Sequence, residues 1–240
     1  RLCFSQEVDL TFVPTVRTLQ LALKHDLDLR RIVFSGHPIR QEFYKRPADI
    51  KQHRANLGLD PDRFTVLFGA SGNGSERIAE IIIHLCEQSS QPLQTLMITG
   101  KNVQLKKRLE QLNFPDQIRP KIFGHISEAQ ALADLFHACH LVVAKAGPNA
   151  VMEAVAAGKP FIATHFIKGQ ETGNKNHIIA TGIGFYEPKP KRVANLIFKL
   201  AQEPAILDLM QANIELEKSK HQQSARIIAE HIVDRLNTVD

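Results

Sequence analysis

Three short segments hold the residues that could bind and move charge. Gly69-Ala-Ser-Gly-Asn-Gly74-Ser75 lies between an apolar run, 65–70, and a stretch with helical spacing from about Glu76 to Gln88. Backbone amides at such a strand-to-helix turn can seat a phosphate. The same residue types also make a tight turn, with Ser75 as helix N-cap, and both readings stand. The loop is not GxGxxG, and it lacks the Gly-Lys-Ser/Thr ending of a P-loop, so neither a dinucleotide nor an ATPase reading gains support.

The second segment is Ala144-Lys-Ala-Gly-Pro-Asn-Ala-Val-Met-Glu153, continuing to Pro160. A strand ends at Ala144, Gly147 makes a turn, Pro148 suits the first helical position and Gly158 can close the helix. Glu153 is the one carboxylate on a helix of small and apolar residues. It is either solvated on the outer face or held near a crevice, where it would accept hydrogen bonds from hydroxyls. The third segment, His165-Phe-Ile-Lys-Gly-Gln-Glu-Thr-Gly-Asn174, follows another strand, with a helix expected near Asn174.

These loops need a scaffold, and the chain alternates in a way that provides one. Strand candidates fall at 65–70, 94–99, 121–123, 141–144, 160–163 and 183–185, separated by stretches with helical period such as 103–112, 127–136 and 148–157. Strands joined through helices imply parallel pairing with right-handed crossovers. The fold class is therefore α/β, a doubly wound, Rossmann-like parallel sheet, in which ligands gather outside the carboxyl ends of the strands. Upstream, 10–13 and 32–34 flank a short helical segment around Thr15 to His25, forming a separate β-α-β unit. The polar stretch Tyr44 to Arg54, with Pro47, marks a domain boundary near residue 44. The division expected is residues 1–43 and 44–240, the second closed by helices over 191–202, 205–218 and 222–236. The chain opens on Arg1, directly before a strand-like run, and reads as a piece of a longer protein.

Composition sets the outer bounds. The chain has 240 residues, 43% hydrophobic and 23% charged, which suits an ordinary globular protein and argues against disorder, collagen or coiled coil. A formal net charge of +5 favours anionic ligands mildly without selecting one. Three cysteines, Cys3, Cys86 and Cys139, lack CxxC spacing, so neither a disulfide framework nor a zinc cluster is expected, and a reducing cytoplasm is the natural setting. No apolar run approaches the roughly 18–20 residues of a membrane span.

Lys145-Ala-Gly-Pro-Asn-Ala-Val-Met-Glu153 through Ile162, followed by Gly169-Gln-Glu-Thr-Gly-Asn174, resembles the nucleotide-sugar half of the monogalactosyldiacylglycerol synthases and diacylglycerol glucosyltransferases. These are GT-B enzymes with a glycosyltransferase family 28 C-terminal domain. A more distant resemblance is to the peptidoglycan N-acetylglucosaminyltransferase. The resemblance runs from about Val33 to Tyr186, and Ser35-Gly-His-Pro-Ile-Arg40 is similar to that family's Gly-x-Pro-Val-Arg interdomain segment. Ala70 and Asn149 depart from its more glycine-rich pattern.

The resemblance implies an inverting transfer of a hexose from a UDP-sugar to a lipid acceptor such as diacylglycerol, with the protein peripheral on the membrane. Residues 1–43 would be a remnant of the acceptor domain and 44–240 the donor-binding domain, catalysing little alone. Glu153 would bind the ribose hydroxyls, and Gln170 and Glu171 those of the sugar. Ser71, with the neighbouring amides of Gly69, Gly72 and Asn73, would hold the diphosphate, and the backbone around Ile126 the uracil. Lys145 and Asn174 would be secondary contacts, with Gly147 in the turn between them. No cofactor or metal is implied beyond the UDP-sugar, because a helix terminus can stabilise the departing diphosphate. The catalytic base would lie in the acceptor domain. A UDP-sugar epimerase of the same architecture and a non-catalytic nucleotide-sugar-binding module are the rival readings.

Other candidates carry less. Asp26-Leu-Asp28 and Asp60-Pro-Asp62 read as solvated turns. His137, Cys139 and His140 straddle a helix end and a strand start, so they would diverge rather than converge on a metal. His37 and His165 read as loop histidines near the crevice. The basic residues Lys101, Lys106, Lys107, Arg108, Arg119 and Lys121 lack interleaved aromatics, which disfavours nucleic acid as a partner.

Overall fold

The computed structural model describes residues 4–69 and 74–237. Its contacts divide the chain into two compact units, residues 1–40 together with 216–240, and residues 41–215.

In the first unit, β1 (Thr11–Val13) and β2 (Ile32–Phe34) pair in parallel, joined through α1 (Val16–Lys24). The Thr15 hydroxyl caps α1 by accepting from the Thr18 amide at 3.1 Å, which satisfies one of the orphan donors of the first turn. Val13, Ala22 and Leu27 form the small core of this unit.

The second unit begins with a helix that the sequence pattern did not announce. α2 (Ile50–Asn56) occupies the polar stretch read as a boundary, with the Asp49 carboxylate as N-cap accepting from Gln52 N at 2.9 Å. Beyond it come β3 (Phe64–Phe68), α3 (Arg77–Gln88), β4 (Leu93–Ile98), α4 (Val103–Glu110), β5 (Ile118–Phe123), α5 (Ala129–Ala138), β6 (Leu141–Ala144), α6 (Pro148–Ala156), β7 (Phe161–Ala163), α7 (Thr172–Thr181), β8 (Gly184–Tyr186), α8 (Pro190–Gln202) and α9 (Ala205–His221). The partition between the units falls inside α9. The final helix, α10 (Ser224–Asn237), groups with the first unit, where His231 meets Phe12 edge to face and Arg235 pairs with Asp9. The sequence pattern by itself assigns all three closing helices to the second domain.

The sheet order is β5-β4-β3-β6-β7-β8, with every neighbouring pair parallel. β4 is buried at every position, as a central parallel strand covered by helices on both faces must be. Its one amide, Gln94, is fully engaged. Oε1 accepts from Asp60 N, and Nε2 donates to Asp60 O and Thr65 Oγ1. Pro120, which lacks a ladder donor, stands in the edge strand β5, where it is tolerated. On α3, the buried Ile78, Ile81, Ile82 and Leu85 form one apolar stripe against this sheet.

Both strands flanking the centre start new directions. The chain runs outward from β3 through β4 to β5, then returns to β6 on the other side of β3 and runs outward again. The order therefore reverses between β3 and β6, and the helices that follow these two strands leave a crevice at their carboxyl ends.

Candidate functional site

At that reversal lies a small cleft. Phe68 and Gly69 at the end of β3, Gly74, Ser75, Arg77 and Ile78 leading into α3, Val143, Ala144 and Lys145 at the end of β6, and Thr164 and His165 after β7 line it. Two glycines shape its floor. Gly69 has φ +73°, and an added Cβ would stand 2.5 Å from Ile98 O; at Gly74 a Cβ would stand 2.5 Å from Thr99 O. The chain can pass this close to β4 only without side chains. Ser75 Oγ accepts from Arg77 N at 3.3 Å, but the helix begins at Arg77 with Glu76 at its N-cap, so Ser75 stands one residue ahead of the cap position expected of it. Ser71, Gly72 and Asn73, expected to hold a diphosphate, lie outside the described residues.

Three basic groups line the cleft: Lys145, Arg77 and His165. Arg77 is steadied by donating to Pro188 O at 2.5 Å. Burial first, then the charges of Arg77 and Lys145, hold the His165 imidazole below its ordinary range, which keeps the ring neutral at physiological pH. Its Nδ1 lies 2.9 Å from Thr164 Oγ1. Arg77 was not singled out in the sequence. The available signal was a cation two residues past the end of the glycine loop, on the first turn of the following helix.

The loop after β7 is fastened to the turn after β6 at three points. Ala146 N donates to His165 O at 2.9 Å, Asn174 Nδ2 donates to Ala146 O at 3.0 Å, and Lys145 Nζ stands 2.6 Å from Glu171 Oε1. The second carboxylate oxygen of Glu171 accepts from Ile167 N at 2.7 Å. Gly147 lies beneath this ion pair; a Cβ there would meet Glu171 Oε1 and Lys145 Cε, each at 3.7 Å. The structure thus brings together Lys145, Gly147, Glu171 and Asn174, with Gly69 across the cleft from Lys145.

The remaining expected residues are placed differently. Glu153 is only 6% exposed on the buried helix α6, so the solvated-face reading is corrected: its neighbours Ala150, Val151, Ala154 and Val155 turn the whole stretch inward. Gln170 is exposed at the tip of the loop. Ile126 is half-buried in the loop leaving β5. α7 starts at Thr172, two residues before the expected Asn174. Phe166 and Tyr186, at the exits of β7 and β8, meet edge to face with Lys175 over both rings, a cluster that sequence reasoning passed over.

The candidates set aside behave as turns and caps. Asp28 pairs with Arg30 at 2.7 Å, and Asp62 with Lys51 at 2.6 Å. His137, Cys139 and His140 point to separate partners: Glu42 O, Phe136 O and Thr65 N. Among the described residues no group of three or more His, Cys, Asp or Glu is arranged around a common centre. Arg108, Arg119 and Lys121 of the basic surface are engaged with Glu76, Asp60 and Leu57 O.

An open, wholly parallel sheet with a cleft at its switch point, floored by Gly69 and Gly74 and edged by Arg77 and Lys145, places a candidate ligand site at the strand exits. Residues 49–218 match the family model of glycosyl transferases group 1, and the chain belongs to that family. It is 30% identical over 200 residues to a probable chloroplastic monogalactosyldiacylglycerol synthase of Glycine max, covering 81% of this chain and 37% of that protein. The chain spans less than two thirds of the length of such relatives. Among solved structures, it resembles Anabaena HepE in complex with UDP, with a TM-score of 0.63 at 17% identity over 97% of this chain and 64% of that one. It also resembles UDP-GlcNAc 2-epimerase from Neisseria meningitidis bound to UDP-GlcNAc, with a TM-score of 0.72 at 17% identity over 94% and 62%. At these identities the structural likenesses show the fold.

Proposed function

We propose that this chain is the donor-binding half of a UDP-sugar-dependent, inverting hexosyltransferase whose acceptor is a membrane lipid such as diacylglycerol. The observation that carries the reading is the cationic cleft at the β3/β6 switch point, with the glycine-shaped exit of β3 on one side and Lys145 on the other. The relatedness to monogalactosyldiacylglycerol synthases supports the lipid acceptor and the hexose donor.

The chemistry follows from where charge develops. As the acceptor hydroxyl attacks the anomeric carbon, the bond to UDP breaks and negative charge grows on the leaving diphosphate. Lys145, Arg77 and the amides of the Gly69–Gly74 loop are suited to stabilise it, a task for which preorganised donors serve well. In this reading the buried Glu153 accepts from the ribose hydroxyls and the exposed Gln170 reaches the sugar. The backbone around Ile126 holds the uracil. The acceptor proton passes to a base in the acceptor-binding half. In this reading contact with the bilayer is peripheral; no described helix is long and apolar enough to cross a membrane.

Calorimetric titration of the chain with UDP, ADP and GDP tests the donor assignment. UDP should bind, with ADP and GDP weaker by tenfold or more; equal heats for all three, or none, would refute it. Incubation of the full-length enzyme, acceptor-binding half included, with UDP-hexose and diacylglycerol should yield the sugar joined to the lipid, whereas a free altered sugar would identify an epimerase.

A further inference from the structure

Glu171 is 3% exposed, and both its carboxylate oxygens are occupied, Oε1 by Lys145 and Oε2 by the Ile167 amide. The Glu171 amide in turn donates to Ile167 O at 2.8 Å, closing the loop between them into a ring that contains Gln170. The ammonium on the other side of the pair is accessible: the Lys145 side chain is 27% exposed and lines the cleft. An ammonium has three donors, so two remain for a ligand after one is given to Glu171. A carboxylate with both oxygens engaged in this way is a poor acceptor for a further hydroxyl, because reaching a ligand would require it to abandon the Ile167 amide and the Lys145 ammonium.

Resting on the donor-binding reading above, we propose that Glu171 is a positioning residue. It acts on the donor through Lys145, holding that ammonium at the cleft for the diphosphate, and through the loop that presents Gln170; it makes no bond to the sugar. Gly147 lies against both partners of the pair: a Cβ there would be in ordinary van der Waals contact with Lys145 Cε and Glu171 Oε1.

The two roles make different demands on UDP, which lacks the sugar. Binding of uridine, UDP and UDP-glucose to the full chain should be measured by calorimetry for wild type, Glu171→Gln and Lys145→Met, with thermal unfolding as a fold control. In Glu171→Gln, UDP and UDP-glucose should weaken by the same factor, roughly tenfold for a lost charge-assisted contact, while uridine is unchanged. Lys145→Met should show the same pattern, and the double variant should be no weaker than Lys145→Met alone, as two residues acting through one contact require. If Glu171→Gln weakens UDP-glucose but leaves UDP at its wild-type affinity, Glu171 touches the sugar and the proposal is wrong. Should Glu171→Gln fail to fold, Lys145→Met still decides: equal UDP affinity to wild type overturns the role given to Lys145. Failure of the wild type to bind UDP at all would instead remove the donor-binding reading itself.

Discussion

The Lys159 ammonium donates to Cys139 O at 2.7 Å and to His137 O at 2.9 Å, closing the carboxyl end of α5. Arg54 of α2 does the same from another side, donating to Ala138 O at 2.9 Å. Two buried cations thus satisfy orphan carbonyls at a helix C-terminus, where positive charge is favoured. They sit at the end of the sheet opposite the cleft, and their contribution is to stability.

Burial pushes the Lys159 pKa down to about 8, with Arg54 and Arg46 adding to the shift. The folded value lies below the unfolded one, so between them the unfolded chain binds more protons and stability rises with pH. From pH 8 to 9 the gain from this group should be about 1 kcal/mol. Above pH 9 it is opposed by Cys86 and Cys139, whose thiols burial pushes up to about 11. Urea unfolding at pH 8 and pH 9 should show wild type gaining about 1 kcal/mol relative to Lys159→Met, which should lose stability over the same interval as the unfolded thiols ionise.

His140 behaves in the acid range. Burial, then the charges of Arg54 and Lys159, lower its pKa to about 3, and the neutral ring stacks on Phe64 while its Nδ1 accepts from Thr65 N. Below pH 6.5 the unfolded chain takes up a proton that the folded one refuses, so stability is lost as pH falls toward 3. His137 and His165, also lowered by burial, act in the same direction. Chemical denaturation between pH 6.5 and 4 should show a shallower decline in His140→Gln than in wild type.

Gly69→Ala should destabilise the protein by about 1–3 kcal/mol, the usual cost of forcing a side chain into a left-handed backbone position. The added methyl would also meet Ile98 O. Thermal unfolding checks the loss, and an unchanged midpoint would mean that the exit of β3 can move away from β4.

Gln170→Ala and Glu153→Ala should separate sugar from ribose recognition. Gln170 is exposed, so its loss should leave the unfolding midpoint unchanged while weakening UDP-hexose, and not UDP, by roughly tenfold. Glu153 is buried, so its loss should lower the midpoint and weaken both ligands. Paired calorimetry and thermal unfolding decide each case, and wild-type affinity in either variant would cancel the role given to that residue.

Much of this protein was legible in its residues alone because hydrophobic period and glycine placement are local properties. The alternation of buried strands with helices of period 3.6 gave the parallel sheet, and the turns at Gly69, Gly147 and Gly169 marked three of its exits. The helix α2 escaped because Ile50 to Asn56 carries little apolar periodicity; only Asp49, a capping residue after Pro47, hinted at it.

What period cannot encode is which polar group ends up facing which. Glu153 and Glu171 are both single carboxylates near glycine turns. Only folding decided that the first is buried with its helix and locked the second between Lys145 and the Ile167 amide. Arg77 reached the cleft only because β3 and β6, which start 77 residues apart at Phe64 and Leu141, became neighbours, with Val66 beside Leu141 in the register. Partnerships between residues distant in sequence depend on sheet order and burial, and those are settled by the packed chain as a whole.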